Sequence, residues 1–234
     1  MMALPQLNTP TYELEVPSTG VKISYRPFLI KEQKVLMIAQ EQGGERALLK
    51  AVGNIIKDCT MGTIENPEDL PTFDMEYLFL KIRGKSVGDK VELNLLCPDD
   101  EKTRVLTEID LNEIKIEKGE STNTIQLSDE IGITMKYPTV KDLINFGNEK
   151  STVKMTFDIV QSCTVNIFDA NDVYEDFSRK ELQDFFEQLN TEQFDKIQKF
   201  FDEMPKLKHT VKVKNPNTGV ESDIVLEGLQ SFLG

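Results

Sequence analysis

Tryptophan is absent from the chain, histidine occurs once, and cysteine occurs three times at wide intervals. Each scarcity excludes a class of chemistry. A lone histidine, His209, rules out multi-histidine metal or acid–base centres. Cys59, Cys97 and Cys163 are odd in number and far apart, which fits neither a secreted disulfide framework nor a four-ligand zinc site. Basic charge is also short, with 27 Lys and Arg against 40 Asp and Glu, a net charge of −13. Such a chain repels nucleic acid and anionic membranes, and only the short clusters Lys206-Leu207-Lys208 and Lys212-Val213-Lys214 interrupt the trend. No apolar run nears the ~20 residues of a membrane span. Met1-Met2-Ala3-Leu4-Pro5 leads into polar residues and does not read as a secretion signal. These features place the chain in a reducing cytosol, with no nucleic acid or membrane among its partners and no cofactor.

What is present is globular in kind, with 39% hydrophobic and 29% charged residues. Met1–Pro10 reads as an extended arm, since Pro5 and Pro10 block helix. Thr11–Val16 and Val21–Arg26 alternate with period two across Pro17-Ser18-Thr19-Gly20, the signature of a β-hairpin. Lys31–Gln42 and Glu45–Asp58 carry apolar residues at helical spacing around the Gly43-Gly44 break, predicting a helical hairpin. Thr72 is placed as the N-cap of a helix over Phe73–Arg83, ended by Gly84–Gly88. A second hairpin follows over Lys90–Leu96 and Thr103–Ile109. Further strands are predicted at Glu113–Glu117, Thr124–Leu127 and Ile131–Tyr137. Helices are then expected at Val140–Phe146, Lys154–Ile167, Arg179–Asn190 and Glu192–Glu203, the last two capped by Ser178 and Thr191. His209–Lys214 and Ser222–Leu226 form a third hairpin. The sum is an α+β fold of short antiparallel hairpins on a largely helical body. Its segments are 1–30 (arm and hairpin), 31–137 (helical hairpin, helix and β-rich stretch) and 138–234 (helical stretch and C-terminal hairpin).

One constant shift lays Leu93 on Val211, Leu95 on Val213, Pro98 on Pro216 and Leu111 on Leu229. Each segment follows a helix containing Phe-Asp, at Phe73-Asp74 and Phe194-Asp195. Duplication of a helix–hairpin module and convergent hairpin chemistry both produce such a match.

No motif in the chain completes a reactive site. Cys97-Pro98-Asp99-Asp100 has the turn shape of a zinc knuckle with one sulfur, and Asn215-Pro216-Asn217-Thr218-Gly219 has none. Gly84-Lys85-Ser86 ends like a phosphate-binding loop, but the first glycine of that pattern would fall on Phe79, and a helix precedes it. The acidic run Asp169–Asp176 reads as a solvated interhelical loop, because an EF-hand numbering would put Val173, Tyr174 and Lys180 at its critical positions. The remaining signal is aromatic. Leu182, Phe185, Phe186 and Leu189 stripe one predicted helix, and Phe194, Ile197, Phe200 and Phe201 the next. Such stripes usually pack a core, and they also anchor partners. Phe185, Phe186, Phe200 and Phe201, with Leu229 and Phe232 of the C-terminal tail, are the candidate partner-binding residues. No catalytic, cofactor-binding or metal-binding residues are assigned.

Ala3-Leu4-Pro5, Thr9–Gly20 and Tyr25-Arg26-Pro27-Phe28-Leu29 resemble the start of the baseplate hub proteins of T-even-like contractile-tailed bacteriophages. Lys81–Gly88, the hairpin through Cys97-Pro98 and Leu226–Phe232 are similar to the same family in the same order. The N-terminal segment and Arg83-Gly84-Lys85-Ser86 are the most specific stretches. The resemblance implies a structural or chaperone-like assembly protein of the hub, expressed late. Its partners would be other hub proteins, and its places the host cytoplasm and the virion tail baseplate. A hub-associated hydrolase is the rival from another class, marked by a pocket of converging carboxylates with shifted pKa values. A zinc-ribbon-derived regulator that has lost its ligands is the third.

Overall fold

The computed structural model describes residues 7–117, 119, 122–146 and 151–232. Most of the predicted arm lies outside these residues, and Leu7–Pro10 forms neither helix nor strand. The strands are β1 (Tyr12–Glu15), β2 (Lys22–Tyr25), β3 (Lys90–Leu96), β4 (Arg104–Asp110), β5 (Lys115–Glu117) and β6 (Thr124–Gln126). They continue with β7 (Gly132–Met135), β8 (Thr164–Phe168), β9 (Val173–Tyr174), β10 (Lys206–Lys214) and β11 (Glu221–Glu227). The helices are α1 (Ile30–Gln42), α2 (Glu45–Cys59), α3 (Thr72–Val87), α4 (Val140–Phe146), α5 (Thr152–Cys163), α6 (Arg179–Phe186) and α7 (Thr191–Asp202). This is an α+β fold with small antiparallel sheets: β1-β2, β3-β4, β11-β10-β5 and β6-β7-β8-β9. No helix among the described residues is long and apolar enough to cross a membrane. Two compact units form: one from the chain up to Glu117 joined by the stretch from Lys206 onward, the other from the residues between.

In the first unit α3 is the axis. Phe73, Met75, Leu78, Phe79, Leu80 and Ile82 are all buried, so apolar positions surround the helix instead of lining one face. Four polar side chains of α3 then tie it to remote segments. Asp74 accepts the Ser18 N–H at 3.0 Å and the Ser18 hydroxyl, fixing the β1–β2 turn. Glu76 Oε1 accepts the Leu229 N–H at 3.0 Å. Lys81 Nζ donates to the carbonyls of Leu111 at 3.1 Å and Ile114 at 3.4 Å. Ser86 Oγ accepts the Phe28 N–H at 2.8 Å and donates to Ile82 O at 2.6 Å. Buried polar groups are tolerated where they find partners, and each of these serves the open backbone of a loop or turn.

The helix runs further than the sequence suggested. Thr72 is its first residue and Pro71 stands at the cap, its carbonyl accepting the Asp74 and Met75 N–H groups. Gly84 does not end it; the stop is Gly88, at φ 111°. Gly84 instead makes room for Asp89, since a Cβ there would lie 2.9 Å from Asp89 Oδ1, and Lys85 pairs with Asp89. Ahead of α1, Arg26 pairs with the buried Glu32 at 2.7 Å, and Glu32 also accepts the Leu29 N–H at 2.8 Å. Burial alone would raise the Glu32 pKa, but Arg26, the Leu29 N–H and Lys31 outweigh it and hold the carboxyl below its ordinary value.

Three hairpins of this unit share one turn. Proline follows Val16, Cys97 and Asn215, and the fifth residue returns its N–H to the first carbonyl at 2.8, 3.0 and 2.9 Å. That fifth residue has positive φ each time: Gly20 at 70°, Glu101 at 53° and Gly219 at 77°. The β3–β4 and β10–β11 turns also join. Asp99 accepts from Asn215 Nδ2 at 3.0 and 3.1 Å and from Thr218 Oγ1 at 2.5 Å, and Asn217 Nδ2 donates to Thr103 Oγ1 at 2.9 Å. Beneath them Val91, Leu93, Ile109 and Leu111 share a core with Leu207, Val211, Val213, Leu226 and Phe232.

In the second unit the β6-β7-β8-β9 sheet meets α5, α6 and α7 over Ile133, Met135, Val160, Cys163, Leu182, Phe186, Ile197 and Phe200. The helix predicted to reach Ile167 stops at Cys163. Thr164 Oγ1 bonds Val160 O at 3.0 Å, and the β-branched and aromatic run Thr164–Phe168 pairs with β7 as β8. Asp169–Asp176 is therefore not interhelical: it is the β8–β9 turn, β9 and the approach to α6. Ser178 and Glu181 form the expected capping box, while α6 ends at Phe186, short of Asn190. Asn190, not Thr191, caps α7, because its amide and that of Gln193 bond reciprocally to the backbone.

Replacing Asp74 with alanine removes the two hydrogen bonds that hold the exposed Ser18 turn and should lower unfolding free energy by about 1–3 kcal/mol, measured by urea titration. An unchanged midpoint would show that the turn does not depend on α3. A second expectation concerns pH. Burial, reinforced by Glu227 and only partly offset by the Leu229 N–H, pushes the Glu76 carboxyl from 4.5 up to about 7. The folded chain then holds this proton more tightly than the unfolded chain, so the group costs stability as pH rises from about 4.5 to about 7. Glu76→Gln keeps the acceptor oxygen and should flatten that segment of the melting-temperature profile. A profile identical to the parent would contradict the assignment.

Candidate partner-binding surfaces

Reactive groups are few and enclosed. Cys59, Cys97 and Cys163 are free and buried. Burial pushes the Cys59 thiol up to about 11 and the Cys163 thiol up to about 12, the opposite of an activated nucleophile. His209 sits half-buried in β10 opposite Leu226. Among the described residues no group of three His, Cys, Asp or Glu could hold a metal ion. The turn containing Cys97 faces the turn containing Asn215, and the Asp99 carboxylate binds the two together with hydrogen bonds alone. Asp169 accepts the Asn171 and Asp172 N–H groups and the Tyr174 hydroxyl, which closes a β-turn and uses its oxygens internally.

The aromatic and tail residues singled out in the sequence fall into two groups. Phe186 and Phe200 are buried in the second unit, and Leu229 and Phe232 in the first, where their side chains already have neighbours. Phe201 is half-buried and stands edge-on to Phe200 at 5.2 Å. Phe185 is half-buried and edge-on to Phe186 at 5.8 Å.

Two surfaces went unnoticed in the sequence. The first is the outer face of α1. This helix buries Glu32, Leu36 and Ala39, yet Ile30 is 68% exposed and Met37 and Ile38 are each 52% exposed, with Val35 beside them. Apolar residues thus encircle α1 although only one side of it is packed. Lys31, Lys34, Gln40, Glu41 and Gln42 are exposed among them, so the outer side is mixed, and its apolar members Ile30, Val35, Met37 and Ile38 are larger hydrophobic groups than a solvated helix face needs. The signal in the sequence was an excess: Ile30, Val35, Leu36, Met37, Ile38 and Ala39 are more apolar positions than one face of a helix needs.

The second surface is a cleft of about 320 Å³ in the second unit, lined by Ile131, Ile167, Phe168, Asp169, Tyr174, Asp176, Phe177, Glu181, Leu182 and Phe185. Local structure explains it. Gly132 pairs with Phe168 across the sheet, and a Cβ on Gly132 would come within 2.1 Å of the ring, so glycine lets Phe168 lie over β7. The capping box of Ser178 and Glu181 starts α6 so that Leu182 and Phe185 face the same space. Its floor is apolar and its rim is acidic. Asp169 and Glu181 are held below the usual carboxylate range by the hydrogen bonds of their turn and cap, so they stay ionised near neutrality.

No curated protein and no solved structure matches the chain significantly. A family model described as T4 bacteriophage base plate protein matches residues 9–234, a span that contains α3, all four of its polar ties and both surfaces. The chain belongs to that family of T4-like phage baseplate proteins.

Proposed function

We propose that this baseplate protein acts at the hub, as a structural subunit or a chaperone-like assembly factor whose work is binding other hub proteins. The observation that carries the reading is the group of exposed apolar side chains Ile30, Met37 and Ile38 on the otherwise charged outer side of α1. A protein whose free energy is spent on association needs such a face, and a rigid core behind it limits the entropy lost on docking. The hub assignment draws on the residues similar to hub proteins. Of these, Ser18, Phe28, Ser86 and Leu229 all sit at the ties to α3. On this reading the role is non-catalytic, because the shifted carboxylates of the cleft, Asp169 and Glu181, are lowered in pKa by the hydrogen bonds of their own turn and cap, and neither is raised toward a proton donor. The role is exercised in the host cytoplasm during assembly and in the tail baseplate. Phe185 and Phe201 keep part of their rings at the surface and serve as partner contacts; Phe186 and Phe200 shape the core of the second unit, and Leu229 and Phe232 are buried in the first.

Met37→Glu and Ile38→Glu change exposed side chains and should alter folding stability by no more than about 0.5 kcal/mol. In infected cells supplied only with the variant, hub intermediates should fail to acquire this protein, and completed tails should fall at least about tenfold, counted by electron microscopy. Normal tail numbers with both variants would remove α1 from the interface. Mass spectrometry of purified virions and of intermediates separates the two roles: presence in both marks a subunit, presence in intermediates alone an assembly factor.

A further inference from the structure

The cleft of the second unit lies beside an open strand edge. β9 closes the β6-β7-β8-β9 sheet on one side and, among the described residues, pairs only with β8, through Ile167 with Tyr174 and Phe168 with Val173. Asp169 N–H bonds Asp172 O at 3.0 Å, so that pair is of the hydrogen-bonded kind. Antiparallel ladders alternate, and Val173, one residue further, therefore turns its own N–H and C=O away from β8. The opposite edge is treated differently: Lys196 Nζ donates to the carbonyls of Gln126 and Leu127, both at 3.2 Å. Val173 is 61% exposed and Tyr174 is 49% exposed. An exposed edge with apolar side chains invites another strand unless something covers or blocks it.

The cleft states what that strand should carry. Ile167, Phe168, Leu182 and Phe185 offer an apolar floor. Its three ionisable carboxylates are Asp169, Asp176 and Glu181, and none of the lining residues is basic. Asp169 and Glu181 are engaged by Tyr174 and Ser178, whereas Asp176 makes no hydrogen bond or ion pair among the described residues. We propose that β9 and the adjoining cleft receive an extended, basic segment of another protein, which adds a strand at Val173, buries an apolar side chain against Phe168 and Phe185, and pairs a Lys or Arg with Asp176. Backbone pairing supplies affinity in this mode, and the alternate side chains supply selection. A second copy of this chain is a poor occupant on charge, because a net charge of −13 repels its like. The surface belongs to the second unit and α1 to the first, and the proposal does not depend on the assignment to the hub.

The test uses the full chain and a short fluorescent peptide of alternating lysine and valine, followed by anisotropy. Binding should weaken at least about tenfold in Asp176→Lys and in Phe185→Ala, and should weaken with added salt. Amide exchange at Val173 and Tyr174 should slow when the peptide is present. A peptide with glutamate in place of lysine should not bind. Circular dichroism checks the fold of both variants, and Asp176→Lys alters an exposed residue, so the test survives if Phe185→Ala unfolds. Equal binding of the glutamate peptide, or undiminished binding to Asp176→Lys, overturns the proposal. So does a dimer of the free chain in sedimentation that Val173→Pro abolishes, since the edge would then belong to a second copy.

Discussion

The first unit depends on burying a helix that brings its own polar ties. A surface helix buries a stripe and leaves its polar residues to water. α3 buries residues on most sides and places Asp74, Glu76, Lys81 and Ser86 where water is scarce. Each would cost free energy if left without a partner, and each instead terminates a loop or turn from elsewhere in the chain. The apolar burial supplies most of the attraction, and the four ties decide which segment goes where. That division explains why the chain up to Glu117 and the stretch from Lys206 onward fold as one unit despite their distance in sequence.

The same economy governs the hairpins. Three turns repeat one backbone solution, a proline second and a positive φ fifth. In the middle one a glutamate, Glu101, occupies the position that glycine takes in the other two, a strained choice for a residue with a Cβ. The Asp99 carboxylate then bridges the second and third turns, and Asp100 is held far below its ordinary pKa, first by the Thr103 hydroxyl and then by neighbouring N–H groups. Charge-assisted hydrogen bonds thus join two turns at a distance where small proteins often use a metal.

Much of this was legible in the sequence, and the reasons for the rest are physical. Period-two alternation around Pro-x-x-Gly turns marked β1–β2 and β10–β11 correctly, and helical spacing around Gly43-Gly44 marked α1 and α2. Boundaries failed where a tertiary contact overrode a local preference. Gly84 reads as a helix stop until Asp89 packs against it, and Val165 and Ile167 read as helix until β7 offers a ladder. That β10 pairs with β5 across the chain could not be read locally, since pairing carries no signal in either strand alone. The aromatic stripes gave the core of the second unit, with Phe186 and Phe200 at its centre, while Phe185 at its margin reached the cleft. The face of α1 was hidden by the same pattern that revealed the helix, because apolar residues on a helix are first read as core.

Native-state hydrogen exchange across the whole chain tests the role of α3 most directly. With α3 as the axis, its amides from Leu78 to Ile82 exchange only through global unfolding of the first unit, and protection of the Phe28 and Leu229 amides is lost in that same event. Exchange of α3 ahead of α1, or release of Phe28 and Leu229 while α3 stays protected, would contradict it.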